Sequence, residues 1–176
     1  MKHFFLVLLL LSFLVSYSFS LSSPTEEELK TAFVYNFLKF VSWPEINSQN
    51  IYLCFVGETK LEPYLLSLDG KKIRKKLVKV REIKKIDSNL SQCHAIFVGK
   101  VSKKVMKQIL QEAEKNMILT ISDVSGFVES GGIIEIFLFD NKIRFKINLF
   151  VANKSGLKIS SRLLKLAQKV IRNDHS

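Results

Sequence analysis

The pattern of apolar and polar residues divides the chain into short strands that alternate with helices. Continuous apolar, β-prone runs at residues 51–57, 94–99 and 117–121 predict strands that are buried on both faces. Apolar residues that recur every three or four positions predict helices near residues 61–68 and 102–113. This alternation is typical of a layered α/β domain with a mostly parallel sheet.

A longer helix is predicted before the first of these strands, over residues 24–42. It begins with Ser23-Pro24-Thr25-Glu26, which has the form of a capping box with proline at the first helical position. It ends before Trp43-Pro44, because proline disfavours helical geometry in the residue that precedes it. Apolar residues occupy more than one side of this helix. We therefore expect either deep burial or a surface that binds a partner.

The last third of the chain changes to an antiparallel pattern. Strands are predicted at residues 133–139 and 142–149, and the turn dipeptide Asp140-Asn141 joins them into a hairpin. The second strand alternates between apolar residues and polar ones such as Arg144 and Lys146. One face of the sheet is therefore expected to meet solvent here.

A final helix is predicted from the cap residue Ser160 to Ile171. The expected fold class is therefore a single layered α/β domain. It has a mostly parallel sheet, a C-terminal antiparallel β-hairpin and flanking helices.

The first 20 residues have the form of a secretory signal peptide. Met1-Lys2-His3 gives a short positive start, and an apolar run follows that a single serine interrupts. This run is shorter than the roughly 20 apolar residues that a membrane span needs, so an anchor is the alternative interpretation. The small residues Ser18 and Ser20 predict cleavage after Ser20. We expect a signal peptide at 1–20 and one domain at 21–176.

Composition places the chain among folded, basic, single-domain proteins. Its 176 residues are 47% hydrophobic, and 27 Lys and Arg against 16 Asp and Glu give a formal charge of +11. Loss of residues 1–20 removes one lysine and leaves 26 basic residues against 16 acidic ones, a charge of +10. An exported protein seldom meets nucleic acid, so we expect no nucleic acid partner. Anionic membranes, acidic proteins or phosphorylated small molecules fit this charge better.

Cys54 and Cys93 are the two cysteines of the chain, and each falls at a predicted buried strand. An even number of cysteines in an oxidising compartment favours a disulfide, and two separately buried thiols are the alternative. In the chain-entropy model, a bridge of this span stabilises a fold by about 4 kcal/mol. A zinc site made by Cys54, Cys93 and His94 lacks a fourth ligand at suitable spacing, so we expect no metal.

Sequence signatures of enzymes are incomplete. Gly57-Glu58-Thr59-Lys60 and Gly99-Lys100 resemble pieces of phosphate-binding loops, but neither has the full glycine spacing. His94 abuts a buried strand and is interpreted as a structural residue, and Asp123 as a turn-forming one. We therefore expect no catalytic residues, no cofactor and no enzymatic activity.

The densest charge in the chain is the basic run at residues 71–76, which Lys79 and Arg81 continue. Lysines on a strand that borders solvent discourage pairing between sheet edges, so a solvated edge is one interpretation. Binding of an anion is the other.

Several segments, in this order, resemble the YfiR family of secreted bacterial regulators. They are residues 31–44, the strand that holds Cys54, residues 93–99, 118–123 with 126–127, 131–134, 144–148, and 156–161 with 163–164. Together they span nearly the whole chain after residue 20.

The resemblance implies a periplasmic protein that binds the periplasmic sensor domain of an inner-membrane diguanylate cyclase and holds it inactive. Cyclic di-GMP output and biofilm matrix production would then be restrained. Members of the family form dimers and are linked to redox sensing, and their cysteine pair corresponds to Cys54 and Cys93. Some relatives carry a second cysteine pair near the hairpin, which this sequence lacks. Lys146 stands where an acidic residue is common in the family.

Contact with such a partner calls for exposed apolar surface framed by basic residues. We expect Phe127 and Phe150, in or next to loops, to supply apolar contacts, and Arg144 and Lys146 to steer an acidic partner. The alternative function is a periplasmic protein that binds a small anionic or aromatic ligand in the crevice at the strand ends.

Overall fold

The computed structural model describes residues 23–44, 48–84 and 90–173. The predicted signal peptide at residues 1–20 lies outside these ranges. Within them, no helix is long and apolar enough to cross a membrane.

One large sheet and one small two-stranded ribbon contain all the strands of the described residues. In chain order they are β1 Val41–Ser42, β2 Asn50–Val56, β3 Lys72–Ile73, β4 Lys76–Glu82, β5 Ala95–Val98, β6 Leu119–Ser122, β7 Ile134–Phe139, β8 Lys142–Asn148, β9 Lys158–Ile159 and β10 Lys169–Ile171. The large sheet has the order β10-β8-β7-β6-β5-β2-β4-β3, and β1 pairs with β9. The five strands β4, β2, β5, β6 and β7 lie side by side in this order and are parallel to one another. Strand β8 is antiparallel to β7. The predicted fold class is confirmed.

Helices cover both faces of the large sheet. They are α1 Glu26–Phe40, α2 Glu62–Leu66, α3 Lys103–Lys115, α4 Leu149–Lys154 and α5 Ser161–Leu166. The α1 side holds the larger hydrophobic cluster, which includes the fully buried Phe37 and Phe97. The α3 side holds a second cluster, in which Ile109 of α3 joins Ile96 and Val98 of β5. The sheet is therefore the middle layer of three, as strands apolar on both faces require.

The first helix begins at Glu26, two residues later than the predicted start at residue 24. Thr25 is the N-cap, and it exchanges with Glu28 the two reciprocal hydrogen bonds of a capping box. The helix ends at Phe40 because Val41 and Ser42 pair with β9. Its buried side chains belong to the larger cluster, and α2 and α5 contact it from the sides. Deep burial thus explains its broad apolar surface.

The prediction for the last helix is wrong in its second half. Ser160 caps α5 by accepting a hydrogen bond from the N–H of Leu163, as predicted, but the helix ends at Leu166. Residues Lys169–Ile171 instead form β10, which extends the sheet parallel to β8. β-branched residues suit a pleated surface, and Ile171 becomes buried there. Pairing with β8 therefore overrides the helical spacing of the sequence.

Candidate functional site

The outward side of the hairpin, here called the hairpin face, combines aromatic and charged side chains. It consists of Glu135, Phe137 and Phe139 from β7, and Lys142, Arg144 and Lys146 from β8. Each member of one strand lies opposite a member of the other. Asp140 and Asn141, with φ of 51° and 52°, form the predicted tight turn that fixes this register.

Apolar and basic groups are both open to solvent at the tip of the hairpin. Phe139 is 56% exposed, and Leu138 on the other side of the strand is 48% exposed. Arg144 is exposed as well, and within the described part of the chain it has no ion-pair partner. The hairpin therefore presents, on one face, an exposed aromatic ring and a guanidinium group that is available to an acidic partner.

Lys146 is held by carboxylates of its own chain. Its Nζ lies 3.1 Å from Glu135 Oε1 and 3.2 Å from Glu129 Oε1. Glu135 is buried, and its other oxygen accepts a hydrogen bond from the N–H of Val128. The Lys146 ammonium also lies 5.4 Å from the centre of the Phe137 ring. Lys146 therefore braces the base of the hairpin face, and Arg144 is the freer of the two expected steering residues.

The charges around Lys146 shift its pKa and that of Glu129. Partial desolvation lowers the pKa of Lys146, but the hydrogen bonds that its ammonium donates to Glu135 and Glu129 outweigh this effect, so the pKa is raised. Desolvation alone would raise the pKa of Glu129. A hydrogen bond with its own backbone and the contact with Lys146 outweigh this effect, so the pKa is lowered. Both shifts favour the charged forms that make up the cluster.

Phe137 and Phe139 were not among the residues expected from the sequence. The signal that identifies them is the register of the hairpin. A two-residue turn at Asp140-Asn141 sets residue 137 opposite residue 144, so the alternation that turns Arg144 outward also turns Phe137 and Phe139 outward.

The expectation that Phe127 is an exposed aromatic residue is wrong. Its side chain is 1% exposed and belongs to the cluster beneath α3. The ring lies directly over Gly132, where an added Cβ would come within 2.2 Å of Phe127 Cε1. The loop between β6 and β7 therefore turns Phe127 inward, because Gly132 leaves room for the ring.

Phe150 lies in α4, a helix that the sequence reasoning missed. Asn148 caps this helix by accepting a hydrogen bond from the N–H of Val151. Phe150 is half-buried in a groove of about 760 Å³, which Met106 and Leu110 of α3 also line. Phe150 therefore lies in the groove between α3 and α4 and is not part of the hairpin face.

Cys54 and Cys93 form a disulfide, with a Cα–Cα distance of 5.9 Å. It ties β2 to the residue two positions before β5, on the α3 side of the sheet. A zinc site made by these two residues and His94 is thereby excluded, since both thiolates are consumed. Among the described residues, no group of side chains has the arrangement of a metal site.

The glycine motifs that resemble phosphate loops have a packing role. A Cβ at Gly57 would lie 2.8 Å from Lys100 O, and one at Gly99 would lie 2.5 Å from Glu58 O. The two loops thus approach each other through bare backbone, and Glu58 and Lys100 form a β-bridge. Close contact between the loops accounts for both glycines.

Asp123 is paired within the fold, whereas the basic run lies at an exposed edge of the sheet. Asp123, just after β6, accepts a hydrogen bond at 2.8 Å from Lys30 of α1. In the basic run, Ile73 is buried while Arg74 and Lys75 form the exposed turn between β3 and β4. This arrangement agrees with a solvated sheet edge.

A solved structure shares the fold at low sequence identity. A conserved domain protein from Vibrio cholerae O1 biovar El Tor strain N16961 matches with a TM-score of 0.59 and 12% identity, over 85% of this chain and 61% of that one. An ABC domain in complex with L-Trp from Streptococcus pneumonia has a TM-score of 0.48 and 12% identity, over 69% of this chain and 55% of that one. The present chain thus spans less than two thirds of either solved chain.

No curated protein matches the chain. A family model does: the one described as YfiR/HmsC-like aligns with residues 27–168. This range covers most of the 176 residues and includes the disulfide, the hairpin and α4. The protein therefore belongs to the YfiR/HmsC-like family, which is a family of regulators.

Proposed function

We propose that this protein binds the periplasmic sensor domain of an inner-membrane diguanylate cyclase and holds the enzyme inactive. Membership of the YfiR/HmsC-like family supports a regulatory role. The observation that carries the proposal is that two exposed side chains, Phe139 and Arg144, lie on the same face of the hairpin. Aromatic and arginine side chains are the groups that most often dominate interface energies.

The rest of the hairpin face suits a docking role. Below the tip, the Lys146 cluster fixes the strands, so binding loses little conformational entropy. Around the tip, Lys142 and Arg144 carry positive charge that attracts an acidic surface and speeds encounter. Exposed apolar surface framed by charge is the usual mark of a protein-binding site.

Inhibition by contact predicts a rise in cyclic di-GMP when the gene is deleted in its host. Complementation with the intact gene restores the low level, because the regulator again occupies the cyclase. Biofilm formation follows the same pattern. An unchanged cyclic di-GMP level in the deletion strain, with the cyclase expressed, contradicts the proposal.

Complementation with variants tests the surface. Arg144→Glu with Phe139→Asp is expected to leave cyclic di-GMP high, since it reverses the charge and removes the exposed ring. Lys104→Glu, an equal charge reversal at an exposed position on α3, is the matched control and restores the low level. Equal amounts of each variant in the periplasm, measured by immunoblot, separate lost binding from lost protein.

The proposed location and assembly have their own tests. Cleavage after Ser20 gives a mature chain that begins at Leu21, and intact-mass analysis of the exported protein measures it. A mass that still includes residues 1–20 identifies a membrane-tethered protein instead. The homodimer expected from the family doubles the mass that light scattering reports.

A further inference from the structure

Cations from three separate segments surround the last turn of α1. Lys39 belongs to that turn, and Arg162 belongs to α5. Lys71 and Arg74 flank the short strand β3. The guanidinium group of Arg74 donates a hydrogen bond of 3.2 Å to the backbone oxygen of Lys39, so the turn between β3 and β4 is held against the end of the helix. The fold thus gathers charges that are far apart in the sequence.

Two aromatic rings lie beside these cations. The centre of the Tyr35 ring is 4.0 Å from Lys39 Nζ and 5.7 Å from Lys71 Nζ. The hydroxyl group of Tyr35 donates a hydrogen bond of 2.6 Å to a backbone oxygen of β3, which fixes the ring. Phe40 is five positions further along α1 and therefore on another side of the helix. There, the guanidinium carbon of Arg162 lies 6.0 Å from the centre of the Phe40 ring. The end of α1 is therefore flanked by cations that are positioned over rings.

These four cations have no acidic partners in the part of the chain that the structure describes. None of them takes part in an ion pair there. Asp69, the carboxylate nearest to Lys71 in the sequence, pairs with Lys79 at 3.2 Å instead. The negative end of the α1 dipole is equivalent to about half an elementary charge, so it offsets only part of the positive charge. The excess charge therefore suits an anion from outside the protein.

An exposed leucine continues this surface on α5. Arg162, Lys165 and Leu166 follow one another at three and four positions along the helix and therefore share one face. Leu166 is 65% exposed, and both cations are exposed as well. An apolar side chain framed by cations is typical of surfaces that lie on anionic bilayers, where the apolar group enters the headgroup region and the cations meet lipid phosphates.

The spread of the charge over three segments also favours a bilayer. A bilayer presents phosphate groups over its whole surface, so it can meet all of these cations at once, whereas one small anion meets only those that converge on it. The surface made by Lys39, Lys71, Arg74, Arg162, Lys165 and Leu166 is here called the basic surface.

We propose that the basic surface docks on an anionic lipid bilayer, with its cations on lipid phosphates and Leu166 in the headgroup region. The proposal goes beyond the proposed function and does not depend on it, because phospholipid is bound with no cyclase present. It uses the end of α1 and α5, which are separate in residue composition from the hairpin face.

Co-sedimentation with vesicles tests the proposal. The mature, oxidised protein is expected to bind vesicles of phosphatidylglycerol and phosphatidylcholine at least about tenfold more tightly than vesicles of phosphatidylcholine alone. It is expected to dissociate when the salt concentration is raised from about 0.1 M to about 1 M, because salt screens the attraction. Equal binding to the two kinds of vesicle overturns the proposal.

Two soluble competitors distinguish a bilayer from other sources of negative charge. Glycerol phosphate supplies the phosphate group without a bilayer, and poly-glutamate stands in for an acidic protein. Neither is expected to displace the protein from the vesicles at a charge concentration equal to that of the lipid. Complete displacement by glycerol phosphate shows a site for a free phosphate, and complete displacement by poly-glutamate shows a site for an acidic protein. Either result overturns the proposal.

Substitutions test the basic surface itself. Lys71→Gln with Arg74→Gln and Arg162→Gln removes three exposed cations and is expected to weaken vesicle binding about tenfold or more. Leu166→Ser is expected to weaken it by about threefold or more, because the apolar group no longer enters the headgroup region. Unchanged binding in either variant overturns the proposal.

A matched control separates the basic surface from net charge. Lys103→Gln with Lys104→Gln and Lys107→Gln removes the same charge from exposed positions on α3, which covers the opposite face of the sheet. This variant is expected to bind vesicles as wild type does. A loss equal to that of the triple variant on the basic surface makes net charge the cause and overturns the proposal. Urea unfolding of both triple variants verifies that each is folded.

Discussion

On the α3 side of the sheet, one region is covered by α3 and another, the hairpin, is open to solvent. Where α3 packs on β2 and β5, outward side chains such as Ile96 and Val98 are fully or nearly fully buried, and the disulfide lies among them. On β7 and β8, no described helix lies over the hairpin tip, and Phe139 remains 56% exposed. The parallel strands thus form core under α3, whereas the hairpin forms an open surface.

On the proposed function, recognition belongs to the uncovered region and rigidity to the covered one. Burial against α3 gives the sheet its second core, whereas the hairpin leaves in solvent an aromatic ring and a guanidinium group that forms no ion pair with any described residue. Substitutions on the two regions are therefore expected to separate stability from binding.

The largest expected effect comes from exchanging aromatic rings for alanine in the two regions. Phe127→Ala in the covered region is expected to lower the free energy of unfolding by about 3–5 kcal/mol, because it empties a buried site. Phe139→Ala in the hairpin is expected to change it by no more than about 0.5 kcal/mol. Urea denaturation measures both, and equal losses in the two variants contradict the distinction.

Removal of the disulfide tests the rigidity of the covered region. Cys93→Ser is expected to lower the free energy of unfolding by about 2–5 kcal/mol, the usual loss for a native bridge in a small secreted domain. Thermal unfolding under non-reducing conditions measures it. Two titratable thiols in the unfolded, unreduced wild-type protein contradict the bridge itself.

A substitution at the base of the hairpin face is expected to have a smaller effect on the free energy of unfolding. Lys146→Met leaves the buried Glu135 carboxylate without its cation and is expected to cost about 1–3 kcal/mol. Arg144→Met, two residues away on the same strand and exposed, is the matched control and costs no more than about 0.5 kcal/mol. A control as destabilised as Lys146→Met shows that Arg144 has a structural partner.

The smallest effect is a pH dependence on the α3 side. The folded pKa of His94 is below its usual 6.5, so the unfolded chain binds a proton that the folded chain does not. The contribution of His94 to stability is therefore complete above pH 6.5 and is lost as the pH falls toward the folded pKa. The His94→Asn variant is expected to lack this loss of stability at low pH, because it has no imidazole to protonate.

Lys146 on the hairpin gives the opposite behaviour. Its raised pKa means that its contribution is present below about pH 10.5 and is lost only as the pH rises through the folded value. Urea unfolding of wild type, His94→Asn and Lys146→Met across pH separates the two. If the free energy of unfolding depends on pH in the same way in wild type and in His94→Asn below neutral pH, the lowered pKa of His94 is contradicted.

The sequence reveals the layers of this fold better than its surfaces. Strands apolar on both faces predict the sheet, and Asp140-Asn141 predicts the hairpin turn, because both signals are local. The burial of Phe127 depends on contact with Gly132 and α3, which no local pattern encodes. Similarly, β10 forms because β8 offers an edge for pairing, so helical spacing misleads at Ile171. Tertiary contacts decide these positions.

The contact between Arg81, Tyr52 and His94 illustrates the same limit. These residues come from three separate segments and meet only when β4, β2 and β5 pair in register. Sequence reasoning treats His94 as a structural residue, and its Nδ1 has that role, because it accepts a hydrogen bond from the N–H of Tyr52.

Capture of the cyclase from native membranes tests the central claim most directly. Immobilised mature protein is incubated with detergent-solubilised inner membranes of the host, and the retained diguanylate cyclase is identified by mass spectrometry and assayed for activity. The account predicts that wild type and Lys104→Glu retain a cyclase and suppress its activity, while Arg144→Glu with Phe139→Asp retains at least about tenfold less. Equal retention by all three proteins, or no cyclase retained by wild type, contradicts docking through the hairpin face.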